Sequence, residues 1–487
     1  MVQFKPSGVN SKIFLVDKSE VQKRFDPFYY SHEFNKYEQE IKKRNFKRFK
    51  DLILSINNGF DLRDYKLSGT PYLKVANIKK GEFDFSKIQY VEIDSSEISK
   101  NIQLKKDNLI LTRKGTFGNA LLLDKDYDFV ISSEVFYIEI FQDLINPKFI
   151  EIFFNSKLGQ LQFDKVKIGA IMGSLSQEAI KELIIPIPDC KTQTDIIKIW
   201  NKNKEIAKKY KVEATQKLAS IDNYLLDILE VRLPEKRETI QDRIFIVSSP
   251  NIIGKRLDPN AYKLQVQNLK KSVINSSFPK KKLKQLVSKG SGGSWGTDIV
   301  SDFDDDKFVR CTVIRATEFD NKGNLRFIDG KVKQRLIEKK VFEKIKLNFN
   351  DIILEKSGGS ENQPVGRVAI IDTETSKYTP LIHSNFVHKF SIVSDEIIPE
   401  YLFYYLNLMH KIKLTESMQS QTNGIRNLIM SEYFSQDVIV PPIEVQNEII
   451  IQIQKIRNEA KKLEDEANLV LEHAKQEIEK MILGEVV

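Results

Sequence analysis

Cysteine is almost missing from this chain: Cys190 and Cys311 are the only two in 487 residues. They lie far apart and without CxxC spacing, which excludes a disulfide framework and gives no zinc-site signature. A reducing cytosol is the natural setting, so the expected location is cytoplasmic. No run of 18 apolar residues occurs, and the start, MVQFKPSGVNSK, has no apolar core followed by a small-residue cleavage site. The expectation is a protein that is neither exported nor membrane-bound.

Catalytic signatures are missing as well. There is no GxxxxGK[ST] phosphate loop, no GxGxxG after a strand and no HExxH metal helix. The five histidines, His32, His383, His388, His410 and His473, are scattered. His383 and His388 flank Ser384, but neither an acidic partner nor a nucleophile elbow accompanies them. Asp304, Asp305 and Asp306 read as a solvated turn rather than a metal site. Asn146-Pro147-Lys148-Phe149 lacks the second proline of a methyltransferase loop, and its proline corresponds to Pro399 in IIPEYLFYYL, where a helix start suffices. The chain reads as one that binds rather than transforms, with no catalytic, cofactor or metal residues of its own.

What is present is a long, soluble-type sequence, 41% hydrophobic and 29% charged, enough for two or more cores. Lys and Arg outnumber Asp and Glu by 76 to 67, a modest excess that favours polyanionic partners.

The chain is also written twice. KRFDPFYY from Lys23 is echoed by KRLDPNAY from Lys255, at an offset of 232. Tyr72-Leu73-Lys74 leads into an apolar stretch and GEFD, and Phe308-Val309-Arg310 into an apolar stretch and ATEFD; each reads as a strand and a turn. DNLILTRKGTFGNALLLD from Asp107 faces NDIILEKSGGSENQPVGRVAIID from Asn350 as matching glycine hairpins. LIIPIP from Leu183 precedes Gln193 as VIVPP from Val438 precedes Gln446, at an offset of 253. The growth in offset places about 21 additional residues in the loops of the second copy, where insertions are tolerated.

After each proline-rich strand comes a long Lys- and Glu-rich stretch of helical period. In the second, Ile449, Ile453, Ile456, Ala460, Leu463, Ala467, Val470 and Ala474 alternate in steps of four and three, a heptad seam. In the first, Trp200, Ala207, Tyr210, Ala214, Leu218, Ile221, Leu225 and Ile228 form a looser stripe, interrupted by Asn203 and Lys217 and ended by Pro234. Packing of each stripe on its own domain is one solution; mutual burial as an antiparallel pair is the simpler one for two similar stripes. A helix over the 39 residues from Thr192 to Glu230 would run about 58 Å. The expected fold is therefore α+β. Two similar mixed domains, residues 1–190 and 245–442, are separated by helical spacers, residues 191–244 and 443–487, related by approximate two-fold symmetry.

Candidate nucleic-acid contacts recur at matching places. Lys42, Lys43, Arg44, Lys47, Arg48 and Lys50 form one basic run, and Lys280, Lys281, Lys282 and Lys284 another, both suited to phosphate. Base reading needs donors and acceptors on loops. Arg113, Lys114, Thr116 and Asn119 occupy one glycine hairpin; Lys356, Ser357, Ser360, Asn362, Gln363 and Arg367 occupy the other. Asn77, Lys79 and Lys80 follow a strand in the first copy, as Arg315 and Thr317 do in the second. A later loop carries Lys167, Ile168, Gly169 and Ser174, matched by Thr422, Asn423, Gly424, Arg426 and Asn427.

Taken together, PYLKVANIKKGEFDF, the hairpins DNLILTRKG and NDIILEKSGG, and the junctions IIPIPDCKTQTDII and VIVPPIEVQNEII resemble the specificity subunits of type I restriction-modification systems over nearly the whole chain. The resemblance implies a DNA-binding protein whose two target-recognition domains each read half of a split, asymmetric site, with an antiparallel coiled coil fixing the gap. It also implies double-stranded DNA and two modification subunits that methylate adenine with S-adenosylmethionine as partners, together with restriction (translocase) subunits that use ATP and Mg2+. None of those cofactors would bind this chain. Two departures stand out. Asp189-Cys190-Lys191 replaces the usual PPLxEQ-like junction, and the duplicated stretches Phe14–Tyr30 and Phe245–Tyr262 suggest a variant branch. Two other readings fit the residues: a standalone sequence-specific DNA-binding protein of another defence or regulatory system, and a coiled-coil adaptor that touches no DNA.

Overall fold

The computed structural model describes residues 21, 27–93, 103–169, 173–235, 244, 246–248, 258–300, 303–320, 323–327, 332–359, 363–422 and 425–485. The KRFDP motif at 23–27 and the start of KRLDP, 255–257, thus lie almost wholly outside them. Two compact units emerge, residues 1–212 with 463–487, and residues 213–462. The division runs through both long helices rather than at their ends.

In the first unit, alternating Ile and Leu over 53–58, 109–112, 120–122 and 135–140 build an antiparallel sheet in the order Ile53–Asn58, Val135–Ile140, Leu109–Thr112, Ala120–Leu122. A second sheet sets Val130–Ile131 parallel to Thr70–Leu73. Helix Pro147–Asn155, opened by the expected proline, packs Phe149 and Phe153 into a core with Phe49, Leu111 and Phe136.

The second unit repeats this plan. Ser291–Gly292, Val387–Phe390, Ile352–Glu355 and Val368–Ile370 form the antiparallel sheet, and Leu381–His383 runs parallel to Phe308–Ile314. Helix Pro399–Lys411 takes the place of Pro147–Asn155. The matching hairpins are confirmed, and each begins on a left-handed residue, Asp107 at φ 63° and Asn350 at φ 68°. Asp and Asn tolerate this conformation better than other side chains.

One stretch aligns differently from its letters. GEFD and ATEFD share three residues, but the geometry pairs Asn77 with Glu318. Each side chain accepts a hydrogen bond from the backbone three residues earlier, Lys74 N at 3.0 Å and Arg315 N at 2.6 Å. A one-turn cap sets this register, and shared letters do not.

The long helices are Cys190–Ile228 and Ile443–Ile482, of 39 and 40 residues. The first starts on Asp189, whose carboxylate accepts from Thr192 N and Thr192 Oγ1, both at 2.9 Å; the unusual junction residue is thus an N-cap. It ends before Pro234: Glu230 turns left-handed at φ 56° and Val231 N bonds Leu226 O at 2.8 Å, a Schellman-type stop.

The seam residues are buried or half-buried throughout. In the second unit Lys217 pairs with Glu459 at 2.7 Å, and Tyr224 lies in the field of Glu448, so the two segments run antiparallel there. Lys217, an interruption in the stripe, therefore acts across the pair, while Asn203 bonds back to Ile199 O. Ile221, Leu225, Ile449 and Ile453 also join the core of that unit with Tyr401 and Leu402, as Ile196, Ile478 and Ile482 join that of the first. The stripes serve both burial schemes at once. Ile196, Leu226 and Leu229, outside the expected stripe, are buried in the same cores.

Each domain meets its helix through a buried glutamine. Gln193 accepts from Asn146 N at 3.0 Å and donates to Pro188 O at 2.9 Å. Gln446, fully buried, accepts from Ile398 N and donates to Glu396 O and Pro441 O, all at 2.8 Å. Replacing Gln446 with Ala strands these groups, so urea unfolding of Gln446→Ala should show a loss of about 2–4 kcal/mol; substituting exposed Glu444 should leave the midpoint unchanged.

Candidate nucleic-acid interface

Both units bring the glycine hairpin and the later loop together. Leu175 N bonds Arg113 O at 2.8 Å, and Gly115 N bonds Gly173 O at 3.2 Å. In the second unit Leu428 N bonds Lys356 O at 2.8 Å, and Ser357–Gly359 pairs with Ile425–Leu428. Arg113, Lys114, Thr116 and Ser174 thus form one cluster, with Lys167 over the Phe117 ring at 5.8 Å. Lys356, Ser357, Arg426 and Asn427 form the other, with Ser357 Oγ donating to Asn427 Oδ1. Ser360, Asn362 and Asn423 lie outside the described residues.

A turn completes each cluster. Phe60 N bonds Ile131 O and Ser294 N bonds His383 O, both at 2.9 Å, while Val135 N and Val387 N close onto Ser132 O and Ser384 O at 3.0 Å. Gly59 and Gly293 make this possible. A Cβ on either would stand 2.0 or 1.9 Å from the strand carbonyl oxygen, so only glycine fits. The Ser132 and Ser384 hydroxyls are buried beneath the turns. Glu134, Asn385 and Phe386 sit at their tips and were not singled out from the sequence; the echo of ISSEV at 131–135 in HSNFV at 383–387 is the signal that points to them.

Other candidates serve the scaffold instead. Asn77, Asn119 and Arg367 are buried. Asn77 donates to Asp84 O at 2.9 Å, Asn119 to Ile78 O at 2.9 Å, and Arg367 to Phe319 O at 2.8 Å while it pairs with Glu355. The Gln363 carboxamide faces the same guanidinium. These polar groups satisfy one another inside the fold, so they are corrected from base readers to structural residues. Arg315 is likewise held by Glu318. Lys79 and Lys80 precede Gly81, whose carbonyl accepts from Lys204 Nζ of the first long helix at 2.8 Å, so their hairpin faces the helix rather than the loop cluster.

The basic runs occupy equivalent two-stranded ladders, Phe46–Arg48 on Ile184–Pro186 and Lys280–Lys282 on Asp437–Ile439. Much of their charge is already paired. Lys42 meets Glu38, Lys43 meets Glu40, and Arg48 and Lys50 share Glu182. Lys281 meets Glu396 and Lys282 meets Asp437. Arg44 rests against Gly484. Lys47 is exposed. The first run precedes the strand Ile53–Asn58 and the loop cluster follows it, a separation of about 20 Å.

Asp304 closes a turn by accepting from Asp306 N at 2.9 Å. Among the described residues no group of His, Cys, Asp and Glu converges as metal ligands would, and no helix is long and apolar enough to cross a membrane.

His383 and His410 are held neutral: burial first, then the nearby charges of His388 and Lys389 or of Arg367 and Lys411, push each imidazole from 6.5 down to about 4. Below 6.5 the unfolded chain takes up protons that the folded one refuses. Stability is full above that value and drains as pH falls towards 4, by about 3 kcal/mol per imidazole. Urea midpoints taken between pH 7 and pH 4 should fall for the wild type and fall less steeply for His410→Gln.

Comparison with known proteins gives these clusters a context. The chain is 24% identical over 189 residues to the type I restriction enzyme EcoKI specificity subunit of Escherichia coli K12, covering 37% of this chain and 40% of that protein. It is 21% identical over 174 residues to the EcoBI specificity subunit of Escherichia coli, covering 36% of each. The matched part thus spans two fifths or less of these curated relatives. A solved chain from a structure concerning complex assembly and conformational transition of the type I R-M system aligns over 91% of this chain and 98% of that one, at 13% identity and a TM-score of 0.49. The model of the type I restriction modification DNA specificity domain matches residues 42–216 and again 307–473, more than half of the sequence. The chain belongs to that family and carries its domain twice.

Proposed function

We propose that the chain is the non-catalytic specificity subunit of a type I or related restriction-modification enzyme, reading a bipartite, asymmetric DNA site with one half read by each unit. The observation that carries this reading is the repetition of one hydrogen-bonded loop cluster on two sheets, with matching backbone frames and different side chains. A shared frame explains a common mode of docking on duplex DNA, and the different side chains explain an asymmetric sequence. Modification subunits, two of them, would supply S-adenosylmethionine chemistry, and restriction subunits the ATP- and Mg2+-dependent steps, in the cytoplasm where the DNA lies.

The test combines the purified chain with modification subunits from the same genome and S-adenosylmethionine, and maps methylated bases on genomic DNA. A split motif with a fixed gap is the expected outcome. Sequence-specific binding by the chain alone, without complex or methylation, supports a standalone DNA-binding protein; no DNA binding at all supports an adaptor.

Phosphate contacts are read from salt dependence. Lys114 is exposed inside the cluster, so Lys114→Gln should lower the slope of log affinity against log salt by about 1. Lys47→Gln tests the more distant ladder. Lys281, already neutralised by Glu396, should change the slope less than Lys114.

A further inference from the structure

Within one chain the duplication separates scaffold from reader. Positions alike in both units hold the frame: Gly59 and Gly293, Ser132 and Ser384, Val135 and Val387. Arg113 and Lys356 occupy one place and carry one sign of charge, which suits either phosphate or guanine in both halves. The tips of the two pinned turns differ in kind. Ser133-Glu134 stands where the second unit has Asn385-Phe386.

These tips are fixed before any ligand arrives. Ser133 N bonds Phe60 O at 2.7 Å, Arg113 N bonds Glu134 O at 2.9 Å, and Lys356 N bonds Phe386 O at 2.9 Å. Each turn is thus stitched both to the glycine strand and to the hairpin that bears the basic residue. The Arg113 guanidinium lies 5.1 Å from the Phe136 ring centroid and turns its Nη1 towards Ser133 O, leaving the Glu134 carboxylate without an ion-pair partner among the described residues. Phe386 is 43% exposed, although its neighbours Ser384 and Val387 are buried.

An unpaired carboxylate amid cations weakens phosphate binding, so its value to a DNA-facing surface lies elsewhere. Carboxylates accept hydrogen bonds from the exocyclic amino groups of cytosine or adenine, and an exposed ring contacts the thymine methyl group. Resting on the reading of the chain as a DNA specificity subunit, we propose that Glu134 and Phe386 are equivalent base-discriminating residues, Glu134 selecting an amino-bearing base edge in one half-site and Phe386 a methyl-bearing edge in the other.

The experiment compares Glu134→Gln and Phe386→Ala in the full chain with its modification subunits, mapping methylated motifs and measuring binding to single-base variants of the site. Glu134→Gln should relax one position in one half-site, lowering discrimination on the order of ten- to a hundredfold. The other half-site should stay unchanged. Phe386→Ala should do the same in the opposite half. An unchanged motif in both variants overturns the proposal, as does a loss of affinity spread evenly over all sequences. If Glu134→Gln fails to fold, Glu134→Asp, which withdraws the carboxylate by one methylene, is read by the same criteria. A wild-type complex that methylates no split motif overturns the functional reading itself, an outcome distinct from a wild type that works and variants that do not shift it.

Discussion

The burial of two apolar stripes on helices of 39 and 40 residues governs much of this molecule. Helices of that length and composition draw most of their stability from packing, and here the stripes are shared with the domain cores. In the second unit Ile221 and Leu225 meet Ile449 and Ile453 in one cluster with Tyr401, Tyr405 and Val438. A seam fused to a domain core cannot rotate without breaking that core. The glutamines at 193 and 446 add direction to this coupling, since each joins its helix to the start of Pro147–Asn155 or Pro399–Lys411 through buried hydrogen bonds. These attachments tie each long helix to the domain that carries a loop cluster.

The two units also show how one buried polar position admits two solutions. Where the first places Thr112 and Asn119, with Asn119 N bonded to Thr112 Oγ1 at 2.9 Å, the second places Glu355 and Arg367 as a buried ion pair. Both reach the same backbone carbonyl position, Ile78 O or Phe319 O. The neutral pair costs little to desolvate. The ionic pair repays a larger desolvation cost only because the guanidinium also donates to Phe319 O and Ala316 O, so losing either partner would strand a buried charge. The backbone plan is therefore tolerant of the chemistry that fills it, which lets the surfaces above it diverge.

Much of this was legible in the sequence because it rests on periodicity and repetition. The seam positions, the hairpins, the glutamine junctions and the helix lengths follow from spacing alone. Burial of Asn77, Asn119 and Arg367 does not, because a polar residue beside a glycine loop has the same letter whether it faces solvent or a buried carbonyl. The alignment of Asn77 with Glu318 was masked for a related reason: the shared EFD letters outweighed a cap in which Asn and Glu do the same work. Glu134 and Phe386 were hidden by their own divergence, since a five-residue echo with only Ser and Val in common carries little weight until a glycine and four backbone bonds align it.

The distribution of charge follows from the same structure. A net charge of +9 spread over 487 residues is a weak field, and in the two basic runs several cations already hold carboxylates such as Glu182, Glu396 and Asp437. A phosphate approaching those side chains must displace an existing partner, and exposed pairs of this kind differ by only about 1 kcal/mol. Exchange of partners is therefore nearly neutral, and the runs would add little net attraction for a polyanion. On the proposed reading, attraction and selection would fall to the clusters at the far end of the sheets, where Lys114 and Lys356 stand beside the pinned turns. A weak general field combined with pinned local turns would then favour release of non-specific DNA and retention of a sequence whose base edges suit each turn.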